Sequence, residues 1–191
     1  MTSFYSEKEL RTLGLKKIGS DVLISRKVSI YSPEKISIGN NVRIDDFCIL
    51  SGNITLGSHI HISAYCALYG SRGITFEDFT GASPKSTIFS ATDDFSGEWL
   101  IGSIHDSLYT NVTGGEVVLK KFSQLATNTV VFPNVTIGEG AVTGAMTLVN
   151  KNLEPWTINT GIPVNKTRPR KKELLKIIEK LTSENSHVEK N

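Results

Sequence analysis

The sequence is sparing with cysteine, tryptophan and methionine, two of each in 191 residues, and it has almost no surplus charge: 21 Lys+Arg against 19 Asp+Glu, a formal net charge of +2. Two thiols, Cys48 and Cys66, cannot build a disulfide framework. A near-neutral balance argues against nucleic acid as the main partner. No stretch approaches 18 consecutive apolar residues, and Met1 to Leu13 is too polar for a secretory signal, so no membrane span and a cytoplasmic location are expected. Only four histidines compete for imidazole chemistry. What the chain does have is 16 glycines and 39% hydrophobic residues, enough for one ordinary core in a turn-rich, mainly β protein.

A repeat organises that core. Aliphatic residues recur every six positions at Ile18, Ile24 and Ile30; at Ile38, Ile44, Leu50, Leu56, Ile62 and Leu68; and at Phe76, Ala82 and Ile88. The series resumes at Leu119, Leu125, Val131, Ile137, Thr143 and Val149, with two-residue slips before Ile38 and Phe76. Four residues after most anchors sits a small or β-branched residue, among them Val42, Cys48, Cys66, Ser86, Thr92, Ser123 and Thr147. Side chains alternate across a strand, so an anchor and the residue two before it share one face. One short strand and one turn per hexamer therefore bury both positions, and three such rungs close a triangular coil of 18 residues. The spacing predicts about six coils stacked in parallel, with Cys48 and Cys66 as a buried thiol ladder.

A solenoid must be closed at both ends. Ser6 and Glu9 form a capping box before Leu10 and Leu13, which predicts a short cap helix within 1–17. The β-helix domain is expected over 18–168. Leu174, Ile177, Ile178 and Leu181 follow helical spacing after Pro169, giving a C-terminal helix and tail over 169–191, with residues 183–191 frayed. The repeat breaks at about 93–115, a long excursion carrying Trp99, His105 and Tyr109, which is where a regular scaffold commonly carries function.

The segments ISIGNNVRI, VTIGEGAVTGAMTLVNKNLEPW and GIPVNKTRPR resemble those of the left-handed β-helix hexapeptide acyltransferases, in particular the sugar O- and N-acetyltransferases related to galactoside and maltose acetyltransferases. The resemblance covers about 18–170. It implies a left-handed coil, a homotrimer with active sites between subunits, acetyl-CoA as co-substrate, and a sugar acceptor in surface-polysaccharide assembly. Carried onto this sequence, it assigns CoA to Gly144, Ala145, Thr147, Asn150, Lys151, Gly161, Pro163 and Arg168, with Ala126 near the thioester. The cations Lys151, Lys166, Arg168 and Arg170 are placed to face phosphates. Relatives commonly have V-W-I-G-x-G where this chain has Ser123-Gln124-Leu125-Ala126-Thr127-Asn128, so an outward aromatic and two glycines are missing.

Acyl transfer needs a base near the acceptor proton and donors for the oxyanion. His61 lies between the inward residues Ile60 and Ile62 and therefore points outward from a flat wall, with Ser63 following. His59 lies near a coil corner, His105 in the excursion, and His187 in the tail. Relatives place a catalytic histidine where this chain has Asp93-Asp94. Two mechanisms stay open: His61 as base with Asp93 or Asp94 orienting it or the sugar, or a carboxylate as base with His61, His59, Ser63 and His105 toward the substrate. A zinc hydro-lyase on this scaffold would need three converging histidines, whose spacing is absent, so no metal is expected. A non-catalytic β-helix scaffold that has lost part of the acyltransferase site is the remaining alternative.

Overall fold

In a computed structural model describing residues 3–180, the hexamers form three parallel walls. The front wall stacks Val22–Ile24, Val42–Ile44, Ile60–Ile62, Gly81–Ala82, Gln124–Leu125, Val142–Thr143 and Thr157–Gly161. The second wall runs from Ser29–Tyr31 through Thr87–Phe89 to Leu148–Val149, and the third from Lys17–Ile18 through Val117–Leu119 to Thr136–Ile137. Seven front rungs slightly exceed the six expected coils.

The inward column is the predicted one. Ile24, Ile44, Leu50, Ile62, Leu68, Phe76, Ile88, Leu119, Leu125, Val131, Ile137 and Val149 are buried, while Ile18 and Ile30, near the open end, are only partly so. Cys48 and Cys66 are buried free thiols, their Sγ atoms 3.1 and 3.2 Å from the carbonyls of Ser63 and Ser83. The adjacent Cys66 thiol and burial raise the Cys48 pKa, keeping it protonated.

The three departures from the six-residue phase fall at one edge, between the second and third walls. The slip before Ile38 is absorbed by the 3-10 turn Pro33–Lys35, and the slip before Phe76 lies within the strand Ala67–Phe76. The excursion leaves at Ser90 and returns at Gly115, whose N–H donates to the Ser90 carbonyl at 3.0 Å. Its stem, Ala91–Asp93 against Val112–Gly114, is antiparallel, so the departure begins two residues earlier than expected. Thr92 is consequently an exposed stem residue rather than an inward one, because its neighbours pair outside the coil.

The corners rest on a feature absent from the hexamer reading. Three residues after most anchors the backbone turns through the left-handed region, even at Phe47, His59, Tyr65, Phe79 and Phe122, and it does so again at Trp156. This conformation is unusual for bulky residues. Here the side chains stack coil upon coil: His59 on Phe79 at 4.4 Å, Phe79 on Phe122 at 5.5 Å, and Phe47 on Tyr65 at 5.0 Å. Stacking of aromatic faces helps offset the local strain.

At the first coil, Ser6 caps Glu7–Leu10, with Glu9 closing the box and paired to Arg26. At the other end the strand Val164–Pro169 folds back on Thr157–Gly161, and residues 174–180 are helical. Leu181, His187 and the tail 183–191 lie outside the described residues.

Candidate active site

The front wall carries the histidine as the hexamer phase requires. His61 is the central residue of Ile60–Ile62, outward between two buried isoleucines, and its side chain is half exposed. Parallel register sets Arg43 beside it on one neighbouring rung and Gly81 on the other. Its partner is Asp45, which the sequence reading missed: His61 Nε2 lies 2.7 Å from Asp45 Oδ2, and Arg43 Nε donates to Asp45 Oδ1 at 2.7 Å. Partial burial pushes the Asp45 pKa up, but hydrogen bonds from Arg43 and then His61 outweigh it and leave the carboxyl below its ordinary value. The 18-residue coil contained the signal, since it places residue 43 beside 61 and residue 45 within side-chain reach.

The same corner carries Asp45, Ser63 and Ser83 on successive coils, linked by their backbone ladder. His59 is set apart from this group. Its ring stacks on Phe79, and its Nδ1 lies 2.8 Å from Asn41 Nδ2, so it belongs to the corner column.

Asp93 and Asp94 sit on the other side of the second wall and behave differently from each other. Asp94 accepts from the Ser96 N–H at 2.7 Å and from Asn111 Nδ2 at 2.8 Å, and these bonds, Ser96 first, hold its pKa below the usual value. It ties the excursion to its own stem. Asp93 makes only a long contact, 3.5 Å, from the Gly102 N–H. It opens onto a cleft of about 330 Å³ lined by Phe89, Ala91, Thr92, Phe95, Phe132 and Pro133. Among the described residues of the single chain, the carboxylate bonded to His61 is that of Asp45 and not that of Asp93 or Asp94. His105 is exposed in the excursion.

Among the CoA candidates, Ala145, Asn150, Lys151, Lys166 and Arg168 are exposed, and Pro163 follows a cis peptide bond in the terminal hairpin. Gly144 and Gly161 leave no room for a Cβ, which would meet Thr160 Cγ2 and Asn165 Oδ1, each at 2.6 Å. Two expectations change. Thr147 is inside the coil, its hydroxyl donating to the Gly144 carbonyl at 2.8 Å, which leaves only its backbone for a cofactor. Arg170 does not face phosphate: its Nη1 donates to the carbonyls of Phe122 and Gly140, at 2.9 and 2.8 Å. The Ala126 N–H is spent on Thr143 Oγ1 at 2.9 Å. No cluster of three or more potential metal ligands occurs among the described residues.

A hexapeptide β-helix with an exposed imidazole–carboxylate pair and a second carboxylate beside an apolar cleft has the groups that acyl transfer requires. The comparisons specify the class. No protein-family model matches the chain. It is 36% identical to a dTDP-4-amino-4,6-dideoxy-D-glucose acyltransferase of Escherichia coli over 92% of this chain and 93% of the relative. It also superposes on AntD, an N-acyltransferase from Bacillus cereus. One AntD structure holds dTDP and 3-hydroxybutyryl-CoA (TM-score 0.93, 49% identity, 97% and 100% of the two chains). Another holds dTDP-4-amino-4,6-dideoxyglucose and coenzyme A (TM-score 0.94, 47% identity, 96% and 100%). The AntD structures include variants at one serine and at an aspartate ten positions after it. The chain belongs to the left-handed β-helix hexapeptide acyltransferases that act on sugars with acyl-CoA as donor.

Proposed function

We propose that this protein moves a short acyl group from acyl-CoA to the 4-amino group of a dTDP-linked 4-amino-4,6-dideoxyhexose, working as a cytoplasmic homotrimer in surface-polysaccharide assembly. The observation that carries this is near full-length agreement with AntD bound to that amino sugar and to CoA. The amine nitrogen attacks the thioester carbonyl, the C–N bond forms, the C–S bond breaks, and CoA leaves as its thiolate while the amine gives up a proton. Asp93 is the group proposed to take that proton. A serine and an aspartate ten residues apart are present here as Ser83 and Asp93, in a chain that matches AntD over 96% of its length. Asp93 is also the less committed of the two carboxylates. The trimer is supported by exposed aromatics on the second wall and its front corner: Tyr31, Tyr69 and Phe132, with Phe47 and Tyr65. Among the described residues no helix is long and apolar enough to cross a membrane.

The Asp45–His61 pair favours a second reading, with His61 as the base and Asp93 as a substrate ligand. Mass spectrometry of products from dTDP-linked 4-amino and 4-hydroxy sugars tests the acceptor. Acylation of the amine alone is expected; acylation of the hydroxyl sugar alone rejects the proposal. Light scattering tests the trimer. CoA binding with no transfer to any sugar would return the protein to the scaffold alternative.

A further inference from the structure

Both cysteines of the chain fall in one inward column, on consecutive coils. Ile49 pairs with Ala67, and its N–H donates to the Cys66 carbonyl at 2.9 Å, so Cys48 and Cys66 hold the same position on adjacent rungs. Rungs of a parallel ladder stand about 4.8 Å apart, and a disulfide spans Cα separations of about 4.4–6.8 Å. The two free thiols are hydrogen-bonded to each other, which pushes the Cys48 pKa up and the Cys66 pKa down. Later coils fill the column with Ser86, Thr129 and Thr147, whose hydroxyls donate to the corner carbonyls of Ser83, Ala126 and Gly144 at 2.8, 2.7 and 2.8 Å. The thiols reach the same row of carbonyls, at Ser63 and Ser83. They therefore lie directly behind the outer corner that carries Asp45, Ser63 and Ser83. Only Val28 precedes Cys48 in the column, so the pair sits close to the open end of the coil, where local opening admits a small molecule.

We propose that Cys48 and Cys66 form a reversible redox site that takes a peroxide as its oxidant, closes into a disulfide between two coils, and slows acyl transfer while it is closed. Cys66 is the more acidic thiol and attacks first. Its sulfur takes a hydroxyl from hydrogen peroxide, the O–O bond breaks, and the second oxygen leaves as water with the Cys66 proton. The Cys48 sulfur then attacks the sulfenic acid; the S–S bond forms, the S–O bond breaks, and the hydroxyl leaves as water with the Cys48 proton. Two thiols are oxidised and one peroxide is reduced to two waters. The closed form has no S–H to offer the Ser63 and Ser83 carbonyls, and its Cβ atoms must draw in from about the rung spacing to about 3.5–4.5 Å. Both changes move the corner that holds the two serines. A disulfide of this kind in a reducing compartment is transient and regulatory, and thiol reductants reopen it. The effect on turnover rests on the acyl-transfer reading above; the bond itself does not.

The tryptic peptide 44–72 holds both cysteines and reports the state of the pair by its mass. With hydrogen peroxide at concentrations that leave the protein folded, that peptide is expected to become lighter by two hydrogens and to recover its mass with dithiothreitol. In the closed protein kcat/KM for the amino-sugar acceptor should fall about tenfold, short of the roughly 10² that a displacement of one ångström can cost, and return on reduction. Cys66→Ser should fold, since the column accepts hydroxyls on later coils, and should keep its turnover through the same treatment. Cys48→Ser should stop at a sulfenic acid on Cys66, trapped by dimedone. A parent peptide that stays unchanged or carries only added oxygen overturns the proposal, as does a disulfide that leaves turnover unaltered or an equal loss of turnover in Cys66→Ser. Thermal shift by dTDP needs no turnover and keeps the two readings apart. If the reduced protein acylates no sugar, the acyl-transfer reading fails; a dTDP shift that shrinks on oxidation and recovers with dithiothreitol then retains the switch, and one indifferent to oxidation rejects it.

Discussion

His61 Nε2 and Asp45 Oδ2 stand 2.7 Å apart although sixteen residues separate them in the chain, because Arg43 and His61 occupy the same position on adjacent front rungs. The carboxylate is also gripped by Arg43, so the imidazole is braced at Nε2. Asp45 has a lowered pKa in the folded protein. Its unfolded value is about 3.9. A group with a depressed folded pKa stabilises the protein above the unfolded value and loses that contribution as pH falls through the folded one. Asp45→Asn should therefore lower Tm by a few degrees at pH 7, on the scale of about 1 kcal/mol. The gap from the parent protein should start to close near about pH 4 and vanish at more acidic pH. Thermal melts across that range check it; a gap as large at pH 3 as at pH 7 contradicts the assignment.

The two carboxylates at the excursion stem should separate cleanly in kinetics. Asp93→Asn is expected to lower kcat by about 10² to 10³ with little change in Tm, the scale of a lost general base. Asp94→Asn exchanges one set of hydrogen bonds to Ser96 and Asn111 for another and should keep most of kcat. If His61→Asn abolishes turnover while Asp93→Asn does not, the base is His61 and the carboxylate is a ligand of the sugar.

Much of this fold was legible because a six-residue phase is a strong signal. One slipped residue turns a whole rung inside out, so Ile44, Ile62 and Val131 could be placed inward from spacing alone. The same logic turned His61 outward. It failed where the chain leaves the coil: Thr92 kept the phase by chance, and only its pairing with Thr113 shows that it belongs to a stem. Arg170 failed for a different reason. A basic residue beside other basic residues reads as a phosphate ligand, whereas its guanidinium is fixed by two carbonyls about 30 and 48 residues away. The aromatic corners were invisible too, since left-handed backbone at Phe79 or Phe122 follows from stacking between coils, not from the preference of the residue itself.

The departure from V-W-I-G at Ser123 left a mark in the core. Ser123 is fully buried, and its Oγ has no hydrogen-bond partner among the described residues, whereas the neighbouring inward hydroxyls of Ser86 and Thr129 are both satisfied. An unmet buried hydroxyl costs about 1–3 kcal/mol. Ser123→Ala removes the hydroxyl without adding bulk and should raise the unfolding free energy by about 1 kcal/mol. Ser123→Val adds methyl groups and tests whether the column has room for them. Urea titrations decide: a destabilised Ser123→Ala would mean the hydroxyl is bonded in solution.

The corner column is closed at its last coils by an arrangement that tolerates no side chain at Gly140. Its backbone is left-handed, and a Cβ there would lie 2.5 Å from Trp156 Cδ2. The indole thus lies against the bare backbone at Gly140, 6.2 Å from the Phe122 ring, with Lys172 over it at 5.2 Å and Arg170 at 6.0 Å. Gly140→Ala adds the cost of a left-handed alanine, about 1–2 kcal/mol, to displacement of the ring. A loss of about 2–4 kcal/mol is expected, together with a red-shifted indole emission as Trp156 moves into water. Trp99, in the excursion, is the second tryptophan and should be changed to phenylalanine in both proteins so that the emission reports Trp156 alone. A Gly140→Ala protein with unaltered emission and a midpoint within about 0.5 kcal/mol of its parent would show that the ring does not rest on Gly140, and that Arg170 holds the terminal hairpin without it.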